Sequence, residues 1–130
     1  MKSNQSNNEN PAASESKTPV PDCYDRDMNS AALMAIADSG IHYLLPYSHF
    51  LYAERIANPA LEKEPDAPPE MLLIHFACGD VTVTGSGLKR VVDHLQQFEL
   101  KFVRSTDRRL AAAQTTHVAA VVVTLTKGNV

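Results

Sequence analysis

The amino-acid sequence predicts an α+β fold, with a mainly antiparallel sheet of about five to six strands and one principal amphipathic helix packed on it. Three observations lead to this fold class. Apolar residues alternate with a period of two between Met71 and Val83, and follow a period of about 3.6 between Leu88 and Phe98. A β-branched run, HVAAVVVTLT, lies near the C-terminus. The first and last patterns indicate strands, and the middle one indicates a helix.

Length and composition indicate one domain preceded by a polar tail. The chain has 130 residues, of which 44% are hydrophobic, and this is enough for a core. Residues 1–27 are rich in Ser, Asn, Glu and Pro, so we expect them to be disordered. Residues 28–130 are predicted to form a single α+β domain. No secretory signal and no long apolar run is visible, so we expect a cytoplasmic protein without a membrane partner.

The first element predicted is a short N-terminal helix over about residues 30–39, in the segment NSAALMAIADSG. Asn29 or Ser30 can cap its start, the alanines favour it, and Gly40 can end it in a left-handed conformation. A helix of this length is marginal alone and must dock on the rest of the domain. Its apolar side consists of Leu33, Met34, Ile36 and Ala37.

Two extended segments and a long connection follow. IHYLL and SHFLYAERI are predicted strands, separated by a break or bulge at Pro46. A Pro/Glu-rich loop at residues 57–70 contains four prolines, four acidic residues and a single lysine, which indicates an exposed irregular segment.

A β-hairpin is predicted next, with Gly79-Asp80 as its two-residue turn. This turn would place Cys78 opposite Val81. One face of the hairpin is then purely apolar and the other mixed, which is typical of an antiparallel pair with one face on the core. The apolar face consists of Ile74, Phe76, Cys78, Val81 and Val83.

The principal helix is predicted over about residues 87–98 and begins at the glycine corner GSGLKR. Such a corner can be a phosphate cradle, because backbone N–H groups at a helix start attract anions. It lacks the third glycine of the dinucleotide pattern and the Gly-Lys-Ser/Thr of the P-loop. We therefore interpret Gly85 and Gly87 as scaffold that turns the chain, with Ser86 as the N-cap.

Two further strands are predicted after the helix. ELKFVRS is extended, with Leu100 and Phe102 on one side, and TDRRLAAAQ connects it to the last strand. The β-branched run HVAAVVVTLT indicates burial on both faces, either inside the sheet or at a subunit interface.

No constellation of residues indicates catalysis. None of the five histidines lies at metal-ligand spacing from another histidine or cysteine, and no nucleophile elbow is present. Cys78 has no cationic neighbour in sequence that would activate a thiolate. We therefore expect no metal, no cofactor and no catalytic residue. An enzyme with a site assembled from dispersed histidines, or a pH switch at His75 or His117, stays open.

The polar feature that stands out is a basic group at the end of the strand ELKFVRS. Its guanidinium and ammonium groups could hold an anion or a partner, or they could be a solvated edge that discourages strand pairing. The chain has a net charge of −3, and only Phe102 lies near for stacking on bases, which is little for a nucleic-acid surface. The candidate binding residues are Lys101, Arg104, Arg108 and Arg109.

Three segments, IHYLLPYSHFLYAE, VTVTGSGL and FVRS, resemble the opening of bacterial LytTR-type DNA-binding domains, in which short strands precede a helix and an Arg-Ser segment. The resemblance covers roughly residues 41–105. Val103 precedes Arg104-Ser105, so the His-Arg-Ser tripeptide of that family is absent, and too little chain follows for its remaining strands and contact loop. No residue role is carried over from the family.

These patterns favour a non-enzymatic interaction or homo-oligomerisation module that binds a protein partner or a second copy of itself. The long Val-rich strand and the apolar hairpin motivate this hypothesis. A small DNA- or RNA-binding regulatory domain that uses the basic group is the first alternative. An enzyme is the second.

Overall fold

A computed structural model describes residues 23–27, 30–107 and 116–126. These residues contain eight strands, two 3₁₀ turns (Tyr47–His49 and Pro59–Glu62) and one α-helix, α1, Lys89–Gln96. The strands are β1 Tyr24–Arg26, β2 Ala32–Ile36, β3 His42–Pro46, β4 Phe50–Ala57, β5 Glu70–Phe76, β6 Gly79–Ser86, β7 Leu100–Arg104 and β8 His117–Leu125.

The predicted α+β class with mostly antiparallel strands is confirmed, but the strands form two sheets instead of one sheet of five to six. The first sheet has the order β1-β7-β2-β3, and the second has the order β4-β5-β6-β8. Among the described strands only β2 and β7 pair in parallel. Both sheets and the helix contribute side chains to one hydrophobic cluster, so the inner face of each sheet lies in a shared core.

The predicted helix over residues 30–39 is wrong, because Ala32–Ile36 is the strand β2. Leu33 and Ala35 are fully buried and alternate with half-buried neighbours. β2 lies between β3 and β7 and forms ladders with both. Intrinsic helix propensity favours a short alanine-rich helix by only roughly tenths of a kcal/mol per residue. The hydrogen-bond ladders to two neighbouring strands and the burial of one face of β2 outweigh that preference.

The hairpin is present, but the predicted turn is wrong. Phe76 pairs with Gly79, so Ala77 and Cys78 form the two-residue turn, two residues earlier than expected. The neighbouring strands anchor this turn, since the Ala77 N–H donates to the His49 carbonyl and the Cys78 carbonyl accepts from the Thr126 N–H. The displacement is an even number of residues, so the apolar face stays on the core.

The Pro/Glu-rich connection between β4 and β5 is braced by Asn58, which is almost fully buried. Its side-chain amide donates to the Pro68 carbonyl at 2.8 Å, and its side-chain oxygen accepts from the Ala60 N–H at 3.1 Å. Its backbone N–H donates to the Pro69 carbonyl. One polar side chain therefore ties the start of this connection to its end.

A bulge in β7 overturns the expectation that Leu100 and Phe102 share a side. Leu100 pairs with Arg26 and Phe102 pairs with Asp25, which leaves Lys101 as the extra residue on β7. The extra residue changes the phase of the alternation. As a result Leu100 and Val103 are both fully buried, and Phe102 is half-buried on the outside.

The last strand is not buried on both faces in the described structure. β8 is an edge strand of the second sheet and pairs with β6 alone. Val121 is fully buried, but Val122 is 52% exposed. Among the described strands, β8 therefore does not lie inside a sheet, and a subunit interface stays the expectation for its β-branched run.

Candidate interaction faces

The side of the second sheet that points away from the core includes twelve residues, three on each strand, that we call the second outer face. Strand register arranges them in three cross-strand rows. The rows are Tyr52, His75, Asp80, Thr124; then Glu54, Leu73, Thr82, Val122; then Ile56, Met71, Thr84, Ala120.

Two of these rows are dominated by apolar side chains and threonine methyl groups. Tyr52 is 53% exposed, Ile56 39% and Val122 52%, whereas Leu73 and Met71 are half-buried between them. The described chain therefore leaves this side of the sheet open to solvent. An open apolar sheet face of this kind is typical of a surface that another molecule covers.

The remaining row contains an ionic cluster around His75. Its Nδ1 lies 3.0 Å from Asp80 Oδ1, and its Nε2 lies 3.4 Å from Glu54 Oε1. The Tyr52 ring packs on the imidazole with 4.3 Å between ring centroids. Each ring nitrogen of His75 therefore lies beside one carboxylate oxygen.

The corresponding side of the first sheet is the first outer face. Met34 lies between Phe102 and Leu44 in the register, and Ile36 lies between Arg104 and His42. Leu44 is 65% exposed. The face consists of Asp25, Ala32, Met34, Ile36, His42, Leu44, Pro46, Phe102 and Arg104.

The structure places two of the four predicted basic residues at this face. Arg104 is exposed at the end of β7, and its guanidinium carbon lies 6.0 Å from the centroid of the Phe102 ring, which is a cation–π arrangement. Lys101 is exposed at the bulge beside the face. Arg108 and Arg109 lie outside the described residues. Lys101 and Arg104 thus border an apolar surface.

The glycine corner holds an anion that belongs to the chain itself. Gly87 has a left-handed backbone, φ 60°, and the Leu88 N–H donates to Glu70 Oε1 at 3.0 Å. The Glu70 carboxylate therefore occupies the place where a phosphate would accept from the start of α1. The expectation that Ser86 is the N-cap is wrong, because Ser86 ends β6 and the N-cap is Leu88.

Two further histidines, His94 and His117, have structural neighbours. Nε2 of His117 donates to the Thr106 carbonyl at 3.0 Å. Burial, and secondarily the guanidinium of Arg26, lowers the pKa of His94, whose ring lies 5.5 Å from that of Tyr24. Within residues 23–27, 30–107 and 116–126, no group of three or more His, Cys, Asp or Glu is arranged to hold a metal.

Two concave regions in the described structure are candidates for small-molecule sites. The first, about 280 Å³, lies beside the glycine corner and is lined by Ser86, Thr106 and His117. Ser86 and His117 are cross-strand partners, but no hydrogen bond joins their side chains in the described structure, so they are not a nucleophile with its base. The second, about 360 Å³, is an apolar groove between β4 and α1.

Sequence reasoning missed most of the two outer faces. Met34 was assigned to a helix, and Leu44 had no assigned role. The β-branched run around Val122 was the useful signal, because a strand that is apolar on both faces needs a cover on its outer side. The faces as wholes depend on which strands become neighbours, and local periodicity does not encode that.

No helix in the described part of the chain is long and apolar enough to cross a membrane. Comparisons of the chain with protein families, with curated proteins and with solved structures found no match. The resemblance to LytTR-type domains therefore stays an expectation.

Proposed function

We propose that this protein is a non-enzymatic interaction module that self-associates through the outer faces of its sheets. The observation that supports this most strongly is the open second outer face. Four strands of about eight residues cover about 20 by 25 Å, or about 500 Å². Two of the three rows on this face are dominated by apolar side chains and threonine methyl groups, and the largest apolar patch on a protein surface is often functional.

The contacts that several polar side chains make within the chain support a non-enzymatic role for the protein. His75 lies between two carboxylates on an open sheet, outside both concave regions. Glu70 is used at the start of α1, and His117 is oriented by a backbone carbonyl. The two cysteines, Cys23 and Cys78, form no disulfide, which supports a reducing cytoplasmic setting for the module.

Size-exclusion chromatography with light scattering over a range of protein concentrations tests the proposal. We expect a mass above that of the monomer, and we expect Val122→Glu to lower it by placing a charge in the apolar rows. Leu125→Glu is the matched control, since Leu125 is 51% exposed on the same strand but alternates onto the opposite side. A wild-type protein that stays monomeric at every concentration would contradict the proposal.

Nucleic-acid binding is a second candidate, because Lys101 and Arg104 flank Phe102 on an exposed strand. Cation-mediated phosphate contacts would give binding that weakens steeply with salt. We expect no gel shift of duplex or single-stranded DNA or RNA at low salt. A shift that disappears in Lys101→Ala and Arg104→Ala would favour this candidate over self-association.

A further inference from the structure

We propose that the copies associate head to tail, with the first outer face of one copy docked on the second outer face of the next. This inference rests on the proposed self-association and specifies its geometry. The molecule that covers each face is a second copy of the same chain. The argument comes from the charges that the two faces carry and from the form of the two surfaces.

The two faces have opposite charge. The second outer face carries the carboxylates of Glu54 and Asp80 with the imidazole of His75 between them, and none of its twelve residues is Lys or Arg. The first outer face and its bulge contain Arg104 and Lys101, and Asp25 is the acidic residue among the nine that form this face. Asp25 also accepts a hydrogen bond from the Arg26 N–H at 2.7 Å. Opposite potentials on two surfaces select those surfaces as partners.

Contacts between like faces are disfavoured by the same charges. If two second outer faces met, Glu54 and Asp80 of both copies would enter one interface, in which the cationic side chains lysine and arginine are absent and each His75 already lies between the two carboxylates of its own copy. A contact between two first outer faces would bring together Arg104 and Lys101 of both copies. Juxtaposed like charges oppose association, so the symmetric arrangements lose to the head-to-tail one.

The form of the faces also suits this contact. Each is a four-stranded sheet surface with apolar side chains in its middle cross-strand row, Phe102, Met34 and Leu44 on one and Leu73 and Val122 on the other. Two such sheets pack about 10 Å apart when their side chains interdigitate. Leu44, 65% exposed, is the most open apolar side chain available to enter the opposite surface.

A head-to-tail contact leaves one face of each kind unfilled at the two ends of an assembly, so growth continues until a ring closes or the chain of subunits stays open. Two single-face variants test this. Leu44→Glu blocks the first outer face and leaves the second intact, and Val122→Glu does the reverse. Both positions are exposed, and circular dichroism checks that both variants are folded.

We expect each variant alone to be monomeric by light scattering, and an equimolar mixture to form a dimer that grows no further. In that dimer the intact second face of the Leu44→Glu variant meets the intact first face of the Val122→Glu variant. If either variant forms dimers alone, or the mixture stays monomeric while the wild type associates, head-to-tail geometry is overturned but self-association stands. If the wild type is also monomeric, the proposed function itself fails.

A second pair of variants tests the electrostatic argument and covers the case in which a glutamate unfolds an apolar face. Arg104→Glu and Glu54→Lys are changes at exposed charged positions. We expect each alone to associate roughly tenfold more weakly than the wild type at low salt, and the mixture to recover. In the mixture, the unaltered second face of one variant meets the unaltered first face of the other. A mixture no tighter than either variant alone would overturn the charge-matched geometry.

Discussion

Phe98 has a left-handed backbone, φ 56°, at the end of helix α1. The Phe98 N–H donates to the Leu95 carbonyl and the Glu99 N–H donates to the His94 carbonyl, so the helix ends in a Schellman motif in which glycine is usual. The Phe98 ring lies 5.1 Å from the ring of Tyr47 and 5.5 Å from that of Phe50. These ring contacts offset the backbone strain.

Because of this strain, we expect glycine to be less destabilising than alanine at position 98, the reverse of their usual order in a helix. Both substitutions remove the ring, but Phe98→Ala keeps the unfavourable φ and Phe98→Gly releases it. We expect Phe98→Gly to be more stable than Phe98→Ala by about 1 kcal/mol in urea unfolding. At Asp93, an exposed helical position, the normal order should hold, with alanine more stable. Alanine above glycine at both positions would contradict a strained backbone at Phe98.

Tyr47 is buried, and its hydroxyl donates to the Leu100 carbonyl. Burial raises the pKa of Tyr47 well above its usual value. Above pH about 10 the unfolded tyrosine loses its proton and the folded one keeps it. The folded state then binds more protons than the unfolded state, so stability falls as pH rises, by up to about 1.4 kcal/mol per pH unit.

We expect Tyr47→Phe to flatten this alkaline decline, and to cost about 1 kcal/mol at neutral pH because a buried hydrogen bond is lost. Urea unfolding at pH 7 to 11 measures both effects. Tyr52→Phe is the matched control, because Tyr52 is exposed and its variant should keep the decline. An equally steep decline in Tyr47→Phe would show that another group causes it.

At the scale of the elements, strand pairing between β6 and β8 depends on a glycine. A Cβ at Gly85 would lie 2.0 Å from the His117 carbonyl oxygen, at a bulge where Ala119 is the extra residue of β8. We expect Gly85→Ala to cost about 2 to 3 kcal/mol in urea unfolding, because backbone must move. Gly40→Ala, at φ +93° with open space around it, should cost about 1 kcal/mol. Equal costs at the two positions would contradict the close approach.

The sequence predicted α1 well because its apolar residues have helical spacing and Gly87 precedes its start, even though the observed helix, Lys89–Gln96, is shorter than 87–98. It failed for β2, since the alanines around Leu33 favour a helix locally and only the ladders to β3 and β7 reveal a strand. Those partners lie at distant positions in the chain. Local propensity does not include the contribution of the neighbouring strands with which a segment pairs.

The two outer faces were likewise predictable from the sequence only in part. Lys101 and Arg104 were visible as a basic group, and the apolar run at Val122 indicated a strand buried on both faces, inside the sheet or at a subunit interface. Their arrangement was not predictable, because Met34 and Leu44 join Phe102 only through strand order in the first sheet. The bulge at Lys101, which turns Phe102 outward, has no signal in hydrophobic periodicity.

For the whole molecule, one hydrophobic cluster spans both sheets, with Leu33 on β2 and Leu72 on β5 each almost completely buried in it. A shared core couples the sheets, because neither can lose its packing without exposing the inner face of the other. We therefore expect substitutions on the outer faces to affect the proposed association more than the stability of the fold.

We therefore expect one cooperative unfolding transition, and we expect Leu33→Ala and Leu72→Ala each to lower its midpoint at a cost of about 2 to 5 kcal/mol. Far-ultraviolet circular dichroism and tyrosine fluorescence, in a chain without tryptophan, should give coincident curves for both variants. Ile41→Ala, at a 52% exposed position between β2 and β3, is the control and should change little. If each core variant shifted only one of two separate transitions, the sheets would be independent units, and a single domain over residues 28–130 would be ruled out.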